Sequence, residues 1–324
     1  MYTANEIQNL VNEFIAHIQH ERNPKSLYEP IKYVMSIGGK RIRPVLMLLA
    51  YNLFKDDPES ILWTAIGLET YHNYTLLHDD LMDKADMRRG RTTVHKKWDD
   101  NTEILSGDTM LVLAYQQIAK CNSNMLKQVL DCFTETALEI GEGQKFDMDF
   151  ENRNTVSELE YIEMIRLKTS VLIACALKIG AILAGASTDD QERLYRFGEN
   201  IGLAFQLQDD FLDVYGDEKK FGKSIGGDIC NNKKTYMLIN VLNMATGDDK
   251  LELDKWIASN DYDKNEKISA ITALYNKFGI GNLAQTKIES YFNEAKKELD
   301  SVSVSRSRKS MLFEFADNIM HRQS

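Results

Sequence analysis

Two acidic clusters of the same pattern are the residues of this chain with the clearest chemical meaning. Each reads D-D-x-x-D, and their first aspartates lie 130 positions apart (209 − 79). The members are Asp79, Asp80 and Asp83 in the first cluster and Asp209, Asp210 and Asp213 in the second. On a helix, the first and last aspartates of each cluster share one face and repel each other. Because both clusters interrupt apolar sequence, we predict that they hold a cation.

The donor atoms in these clusters favour a hard metal ion. The clusters offer carboxylate oxygens, and His78 is the only softer donor next to them. All-oxygen ligation suits Mg²⁺ or Mn²⁺ better than zinc, and Mg²⁺ is usually held by a few carboxylates together with substrate phosphates. The pattern differs from the D-x-D-x-D-G loop of calcium sensors. The alternative to a metal site is that the two clusters are solvated acidic helix ends that bind no ligand.

Basic residues accompany the clusters, as a metal-bound diphosphate would require. In Gly38-Gly39-Lys40-Arg41-Ile42-Arg43-Pro44, a glycine break precedes a proline suited to the first turn of a helix. Lys40 and Arg43 are therefore predicted near a helix N-terminus, which is a natural diphosphate site. Arg88 and Arg89 follow the first cluster. The other basic residues of this kind are Lys168, Lys223 and Lys233. Each alone could be a solvated side chain, but together they predict more than one diphosphate site.

The elements that must position these residues are predicted to be helices. The last proline is Pro58, so no residue from 59 to 324 breaks a helix in that way. No alternating run with an N-G or D-G turn predicts a strand. Hydrophobic periodicity predicts helices over 3–21, 27–37, 44–55, 58–84, 97–119, 123–145, 157–187, 188–215, 233–244, 264–278, 281–300 and 306–321. Short connections predict antiparallel neighbours and a single domain over residues 1–324.

Two of the predicted helices end in the acidic clusters. The helix over 58–84 is apolar or aromatic around much of its circumference, which is typical of a buried helix. The helix over 188–215 likewise carries the second cluster near its end. Carboxylates at a helix C-terminus are disfavoured by the helix dipole. A salt-bridged surface face would not need this arrangement, so it favours a binding site.

The composition excludes some function classes. The net charge of −10 (39 basic minus 49 acidic residues) argues against a nucleic-acid surface. The four cysteines form no C-x-x-C pair and are expected to be free thiols in a reducing compartment. No signal peptide is expected, and the apolar stretch Val171 to Ser187 is short for a membrane span and contains Lys178. We therefore expect a cytoplasmic protein without an integral membrane segment.

The order and spacing of the motifs resemble those of the trans-prenyl diphosphate synthases, the polyprenyl synthetase family. The resemblance covers nearly the whole chain. Its elements are Gly38-Gly39-Lys40-Arg41-x-Arg43-Pro44, His78-Asp79-Asp80-x-x-Asp83 with Arg88-Arg89-Gly90, Gly143-Gln144-x-x-Asp147, Lys168-Thr169, Phe205-Gln206-x-x-Asp209-Asp210-x-x-Asp213, and Gly222-Lys223 through Asp228 to Lys233. The resemblance implies an all-α antiparallel bundle of the isoprenoid synthase type around a central cavity, and a homodimer.

The resemblance also implies a reaction. An allylic diphosphate (dimethylallyl, geranyl or farnesyl) ionises, and isopentenyl diphosphate attacks the resulting cation head-to-tail. Ionisation requires positive charge on the leaving diphosphate, which Mg²⁺ and Arg or Lys side chains supply. Three Mg²⁺ ions per active site are implied, with Mn²⁺ as an alternative. An apolar cavity keeps water away from the cation.

Roles for individual residues follow from the same resemblance. Direct metal binding is implied for Asp79, Asp83 and Asp209, with support from Asp80, Asp210 and Asp213. Binding of the allylic diphosphate is implied for Arg88, Lys168 and Lys223, with Lys233 nearby. Binding of isopentenyl diphosphate is implied for Lys40, Arg43, His72 and Arg89. A place at the reaction centre is implied for Gln206, Thr169, Gln144 and Asp147. His72 could instead be a core histidine, and Asp147 could instead pair with a lysine.

Product length in this family depends on bulk beneath the allylic site. Tyr74, Thr75 and Tyr71 lie five, four and eight positions before Asp79. An aromatic side chain five positions before the first aspartate resembles the short-chain enzymes. The farnesyl type has aromatic side chains at both the fifth and the fourth position before it, and Thr75 departs from that pattern. We predict a geranylgeranyl (C20) product, with farnesyl (C15) as the alternative and longer products after it. The tyrosines could also be core residues, with the floor of the cavity elsewhere.

Three other classes of protein fit only part of this pattern. A terpene cyclase also carries D-D-x-x-D, but its second metal motif is a mixed Asn/Ser/Glu set and it binds no second diphosphate. A non-catalytic subunit of a heteromeric synthase tends to lack one acidic motif. A purely structural helical bundle needs neither cluster. The two complete clusters, together with Lys40 and Arg43, favour a prenyl diphosphate synthase over all three.

Overall fold

The computed structural model describes residues 2–18, 22–216, 225–259 and 261–320, without the side chains of residues 319 and 320. Helices account for 78% of the structure. The predicted all-α class is therefore confirmed. Lys223, to which a diphosphate-binding role was assigned from the sequence, lies outside the described residues.

Sixteen helices are labelled here in chain order within the described ranges. They are α1 (Ala4–His17), α2 (Lys25–Ser36), α3 (Ile42–Asn52), α4 (Leu62–Met82), α5 (Val94–Lys97), α6 (Asp100–Ile118), α7 (Leu126–Glu151), α8 (Glu158–Ile165), α9 (Val171–Ala184), α10 (Thr188–Tyr215), α11 (Gly227–Cys230), α12 (Tyr236–Met244), α13 (Gly247–Ala258), α14 (Lys264–Lys277), α15 (Ile280–Asp300) and α16 (Arg306–Met320). A 3₁₀ turn, Pro58–Ile61, precedes α4, and a π-helical segment, Arg166–Ser170, joins α8 to α9. Strands β1 (Met87–Arg88) and β2 (Arg91–Thr92) form a short hairpin.

The chain divides into two compact units. The first comprises Met1–Thr134, Cys175–Tyr195 and Val302–Leu312, and the second comprises Glu135–Ala174, Arg196–Ser301 and Phe313–Ser324. The first acidic cluster belongs to the first unit and the second cluster to the second. The prediction of a single domain remains a prediction.

The core of the first unit positions the end of α4. Leu77 on α4, Ile31 on α2 and Met110 on α6 are among its fully or almost fully buried side chains. Gly67 allows α4 to approach α6 closely, because a Cβ there would overlap the side chain of Ile118. Burial of each large apolar side chain contributes roughly 1.5–3 kcal/mol. The helix with the first acidic cluster is thus fixed along its length, as its apolar circumference predicts.

The core of the second unit surrounds the end of α10. Leu203 and Leu207 on α10 are buried with Tyr161 on α8, Ile239 on α12 and Tyr275 on α14. Apolar burial on this scale is the main force that can offset the desolvation of the charged residues in the same helix. The buried part of α10 therefore extends up to the second acidic cluster.

The structure corrects the sequence prediction in several places. Residues 87–92 form a hairpin where no strand was predicted. The predicted helix 97–119 begins only at Asp100, after the separate short helix α5, and the predicted helix 157–187 is interrupted by the π-helical segment. Helix α13 was not predicted at all. In addition, α7 continues to Glu151, beyond the predicted end at 145.

One described helix passes a length and composition test for a membrane span. It runs over Glu158–Ala184, and 83% of its apolar window is buried inside the protein. Burial of this kind is typical of a core helix, as the sequence predicted for residues 171–187.

Candidate functional site

The first acidic cluster lies where α4 ends. Asp79 and Asp80 are in the last turn and Asp83 is the C-cap residue. Lys84 has a φ of 52°, its N–H donates to the carbonyl of Leu81, and the N–H of Ala85 donates to the carbonyl of Asp80 at 2.9 Å. This is the hydrogen-bond pattern of a Schellman motif, which ends the helix and redirects the chain.

Arg88 binds the first acidic cluster directly. Its Nε donates to Oδ1 of Asp80 at 2.7 Å, and its Nη2 donates to Oδ2 of Asp79 at 3.3 Å. Burial raises the pKa of Asp80, and the neighbouring Arg88 opposes that rise. The structure thus brings Arg88 together with two of the predicted metal-binding carboxylates, whereas Asp83 is exposed.

A tight hairpin presents Arg88 and Arg89. Arg89 and Gly90, between the two strands, have φ values of 50° and 72°, the signature of a type I′ turn. Arg89 donates a hydrogen bond from Nη1 to the carbonyl of Gly38. A Cβ at position 39 would overlap the guanidinium of Arg89, so the glycine pair of the sequence motif admits this side chain.

The basic loop before α3 has the predicted place at a helix N-terminus. Helix α3 starts at Ile42, so Lys40 precedes it and Arg43 is in its first turn. Nη1 of Arg43 lies 3.1 Å from Nε2 of His72 on α4. Burial, and then repulsion from Arg43 and Arg89, lowers the pKa of His72 well below 6.5. Burial also lowers the pKa of Arg43 to about 10, with Arg89 adding to the effect. A pocket of this kind favours anion binding.

A buried ion pair that sequence reasoning missed holds this loop in place. Arg41 is 5% exposed and lies 2.6 Å, through Nη1, from Oε1 of Glu69, which is 2% exposed. Nη2 of Arg41 donates to the carbonyl of Met35 at 2.7 Å, and Asn73 also donates to Oε1 of Glu69 at 3.1 Å. Glu69 is a charged residue in an apolar helix pattern, which signals that it needs a partner but does not identify Arg41 as that partner.

A column of aromatic rings descends α4 from the acidic cluster. The ring of His78 contacts that of Tyr74 at a tilt of 60°, with centroids 4.8 Å apart, and the ring centroid of Tyr74 lies 5.4 Å from that of Tyr71. Tyr71 makes an edge contact with Phe133 of α7 at 5.1 Å. The hydroxyl of Thr75 is bonded to the carbonyl of His72 in its own helix. Tyr71 is almost fully buried and Tyr74 is partly exposed, so the structure is compatible with Tyr74 as a floor and Tyr71 as its support.

A second buried pair behind the hairpin was also missed. Oε2 of Glu103 accepts hydrogen bonds from the backbone N–H of His95 at 2.6 Å and from its Nδ1 at 2.8 Å. Glu103 is fully buried, and burial raises its pKa. Nearby, the hydroxyl of Thr93 donates to the carbonyl of Ala85 at 2.6 Å, which closes the base of the arginine loop. These contacts tie the loop to α6.

In the second unit, Asp210 is the most buried member of its cluster. It is 4% exposed, accepts a hydrogen bond from the hydroxyl of Tyr161, and is 3.2 Å from Nε2 of Gln206. Burial, and then repulsion from Asp228, raises its pKa to about 7, against the influence of Lys233 and Tyr161. Asp209, one position earlier, is half-buried on α10. Burial and two donors place Asp210 behind the site rather than at its surface.

Asp213 organises the chain that follows the second cluster. Its Oδ2 accepts from the backbone N–H of Asp228 at 3.0 Å, and its carbonyl accepts from Gly226 at 2.7 Å. The N–H of Lys233 donates to the carbonyl of Asp228 at 3.0 Å. The sequence-predicted Lys233 is thereby held near the cluster, with an exposed side chain.

The remaining predicted residues meet on the π-helical segment. Nζ of Lys168 lies 2.5 Å from Oδ2 of Asp147 on α7, which is the lysine pair left open by the sequence. The hydroxyl of Thr169 is 3.4 Å from Oε1 of Gln206. Gln144 is half-buried on α7, one turn before Asp147. Lys168 with Asp147 and Thr169 with Gln206 therefore form two contacts between predicted site residues within the second unit.

The donor set suits Mg²⁺ rather than a closed metal cage. Among the described residues, no group of three or more His, Cys, Asp or Glu side chains converges closely enough to hold a metal alone. The clusters contribute carboxylates, and the cationic side chain of Arg88 lies beside the first cluster. This is the arrangement expected where substrate phosphates complete the coordination of Mg²⁺.

An all-α fold with two D-D-x-x-D helix ends and paired Arg and Lys side chains defines an enzyme of the isoprenoid diphosphate class. The chain belongs to the polyprenyl synthetase family, whose family model matches residues 24–275. It is 36% identical to geranylgeranyl diphosphate synthase of Methanosarcina mazei over 100% of this chain and 99% of that protein. The family prediction and the prediction of a prenyltransferase are confirmed.

Solved structures agree with this assignment. A geranylgeranyl pyrophosphate synthase crystal structure superposes with a TM-score of 0.94 at 41% identity over 100% of both chains. Another, from Corynebacterium glutamicum and complexed with isoprenyl diphosphate and magnesium, matches with a TM-score of 0.84 at 25% identity over 98% of each chain.

Proposed function

We propose that this prenyltransferase condenses isopentenyl diphosphate head-to-tail with an allylic diphosphate and releases geranylgeranyl diphosphate, the C20 product. The observation that carries the proposal is the position of Arg88, whose guanidinium binds Asp79 and Asp80 at the end of α4. A diphosphate-binding cation thus lies among carboxylates suited to Mg²⁺. The names of the relatives support the choice of product.

Mg²⁺ is the proposed cofactor, with three ions per active site when substrate is bound and Mn²⁺ as a possible substitute. Asp79, Asp83 and Asp209 are the proposed direct ligands. Asp80, Asp210 and Asp213 are proposed to support them, and each accepts a hydrogen bond, from Arg88, Tyr161 and the backbone N–H of Asp228 respectively. When bound, the ions would neutralise the leaving diphosphate as its bond to carbon breaks.

The chain's own cations divide between the two diphosphates. Isopentenyl diphosphate is assigned to Lys40, Arg43, His72 and Arg89. The allylic diphosphate is assigned to Arg88, Lys168, Lys223 and Lys233. Neutral His72 can donate one hydrogen bond without adding charge, because its lowered pKa keeps it unprotonated near neutral pH.

The reaction needs no protein nucleophile. The allylic C–O bond breaks and its electrons leave with the diphosphate. The double bond of isopentenyl diphosphate then attacks the allylic cation, and the departing diphosphate accepts the proton that is lost. Thr169, Gln206 and Gln144 are proposed to orient the allylic carbon, and the aromatic column of Tyr74 and Tyr71 is proposed to limit the growing chain.

A homodimer of single-domain chains in the cytoplasm is part of the proposal. The apolar side chains Ile104, Leu105 and Val112 lie within one face of α6 and are 42%, 59% and 68% exposed. A stripe of this kind is typical of a surface that a second copy covers. Light scattering after size-exclusion chromatography tests the dimer, and a monomer at micromolar concentration would contradict it.

The test of the function is product analysis with each primer. Purified protein is incubated with Mg²⁺, isopentenyl diphosphate and dimethylallyl, geranyl or farnesyl diphosphate, and the products are dephosphorylated and sized. A C20 alcohol from all three primers supports the proposal. A C15 end product identifies the farnesyl alternative. Cyclic hydrocarbons, or no product from any primer, would overturn the proposal.

A further inference from the structure

The π-helical segment Arg166–Ser170 is an interruption in an otherwise regular core helix. The N–H of Val171 donates to the carbonyl of Arg166, five residues earlier, and the hydroxyl of Ser170 donates to the carbonyl of Ile165 at 3.4 Å. Such insertions are frequent at functional sites because they change where neighbouring side chains point. Lys168 and Thr169 occupy the middle of this segment. Any residue that maintains the π turn therefore influences the positions of the Lys168 and Thr169 side chains.

Two glycines receive the backbone of the π segment. A Cβ at Gly143 of α7 would overlap the backbone nitrogen of Lys168, and a Cβ at Gly202 of α10 would overlap the backbone and side chain of Ser170. The segment is therefore packed tightly against α7 and α10 in the second unit. Close packing limits where the segment can lie, but apolar contact alone does not determine its helical register.

Arg166 supplies directional contacts at the start of the segment. Its guanidinium makes a bidentate pair with Glu163 at 2.8 and 2.9 Å. Nη1 also donates to Glu199 of α10 at 3.1 Å and to Glu139 of α7 at 3.3 Å. One side chain thus joins the helix of Lys168 to the two helices that carry its neighbours Asp147 and Gln206. Only a planar guanidinium has enough donors in the right geometry for all three carboxylates.

The charges around Arg166 make the contact more than a surface ion pair. Glu139 and Glu199 are 20% and 24% exposed, so their carboxylates are only partly solvated. The hydrogen bonds that Arg166 donates to Glu163, and then the charges of the surrounding carboxylates, raise the pKa of Arg166. Without Arg166, three carboxylates would repel one another next to the π turn. The resulting separation would pull α7 and α10 away from the segment.

We propose that Arg166 is a positioning residue for catalysis, which holds the π turn and thereby places Lys168 and Thr169 for the allylic diphosphate. Arg166 acts through these residues and does not touch the substrate. The inference rests on the proposed function for the role of Lys168, but not for the contacts of Arg166 itself. If Arg166 only stabilised the fold, its replacement would lower the unfolding midpoint without changing the contribution of Lys168 to kcat/KM.

The test compares Arg166→Met and Arg166→Lys with a control, Arg193→Met. Arg193 has similar exposure and pairs with Asp189 on its own helix at 2.8 Å. Hydrogen exchange of peptides spanning residues 164–172 reports the π turn without reference to activity. Steady-state kinetics with farnesyl diphosphate reports the consequence for catalysis. A Lys168→Ala background shows whether the effect of Arg166 passes through Lys168.

In Arg166→Met we expect exchange of these peptides to accelerate about tenfold and kcat/KM to fall about 100-fold. Arg166→Lys should lie between Arg166→Met and the wild type, and Arg193→Met should match the wild type. In the Lys168→Ala background, the further loss from Arg166→Met should be less than about threefold.

Two results would overturn the proposal. One is hydrogen exchange over residues 164–172 that is the same in Arg166→Met as in the wild type. The other is a fall in kcat/KM from Arg166→Met that is as large in the Lys168→Ala background as in the wild type. If Arg166→Met does not fold, Arg166→Lys decides by the same two measurements. If the variants differ from the wild type in hydrogen exchange as expected but the wild type makes no product, the proposed function is contradicted instead.

Discussion

The ammonium of Lys168 lies 2.5 Å from the Oδ2 atom of Asp147, with both side chains more than two-thirds buried. Lys168 belongs to the π-helical segment and Asp147 to α7, so the pair connects two elements of the second unit. A lysine held in this way is pre-oriented, because its long side chain has already lost much of its rotational freedom. A diphosphate that takes the ammonium would meet a cation already in position.

Loss of this cation should impair use of the allylic substrate. In Lys168→Ala we expect kcat/KM for farnesyl diphosphate to fall about 100- to 1,000-fold, the magnitude typical of a removed charge-stabilising donor. Steady-state assays with each substrate varied in turn measure this. Lys145→Ala is the control, since Lys145 pairs with Asp149 on the exposed face of α7. Equal losses in the two variants would contradict the assignment.

The aromatic column makes a prediction about product length. Tyr74→Ala should open space below the acidic cluster, so products of C25 or longer should appear from farnesyl diphosphate. Thr75→Ala is the matched control, because the Thr75 hydroxyl is bonded within its own helix and leaves the column intact. Gas or liquid chromatography of the dephosphorylated products gives the lengths. An unchanged C20 product from Tyr74→Ala would show that the floor lies elsewhere.

The hydrogen bond from Tyr161 to Asp210 should set how well the second cluster binds metal. Tyr161→Phe removes one of the donors that orient this buried carboxylate. Partners of this kind typically change metal affinity about 10- to 100-fold. We therefore expect the Mg²⁺ concentration for half-maximal activity to rise at least about tenfold. Tyr236→Phe, also buried in the second unit, should leave it unchanged. The same Mg²⁺ requirement in Tyr161→Phe as in the wild type would exclude this role.

Partly buried His72 predicts a loss of stability in mild acid. Burial, with repulsion from Arg43 and Arg89, lowers its pKa well below 6.5 in the folded state. Below about pH 6.5 the unfolded chain binds a proton that the folded chain does not, so the free energy of unfolding falls as the pH falls. Urea unfolding at about pH 7.5 and about pH 5.5 should show a smaller decline for His72→Gln than for the wild type. His17→Gln, at an exposed position, should keep the wild-type decline. Equal declines in His72→Gln and the wild type would contradict this account.

The Arg41–Glu69 ion pair should be costly to break. Arg41→Met leaves the carboxylate of Glu69, which is 2% exposed, without its cation. Removal of one partner of a buried pair typically lowers the free energy of unfolding by about 3–5 kcal/mol. Lys127→Ala breaks an exposed pair with Asp131 and should change it by less than about 0.5 kcal/mol. Urea denaturation compares the two, and a loss below about 1 kcal/mol in Arg41→Met would refute the interpretation.

The sequence was sufficient for the parts of the site that depend on one helix. The D-D-x-x-D spacing and the apolar pattern placed both clusters at the ends of α4 and α10, because helical periodicity follows from local sequence. The glycine-proline signals likewise placed Lys40 and Arg43 at the start of α3. These local patterns also gave the all-α class.

Features that depend on distant residues could not be read in this way. The Arg41–Glu69 and His95–Glu103 pairs join different elements, and no local pattern encodes such pairing. The hairpin was missed because Arg89, rather than asparagine, occupies the first turn position that usually signals a type I′ turn. The π turn shifts the helical repeat by one residue over five positions, which is too short a change for hydrophobic periodicity to detect.

The most direct test of the account measures pyrophosphate release together with carbon–carbon bond formation. Purified protein with Mg²⁺ and farnesyl diphosphate should release no pyrophosphate until isopentenyl diphosphate is added. It should then release one pyrophosphate for each C5 unit found in the geranylgeranyl product. Release from farnesyl diphosphate alone, or incorporation without matching release, would contradict the assignment of this chain as a head-to-tail prenyl diphosphate synthase.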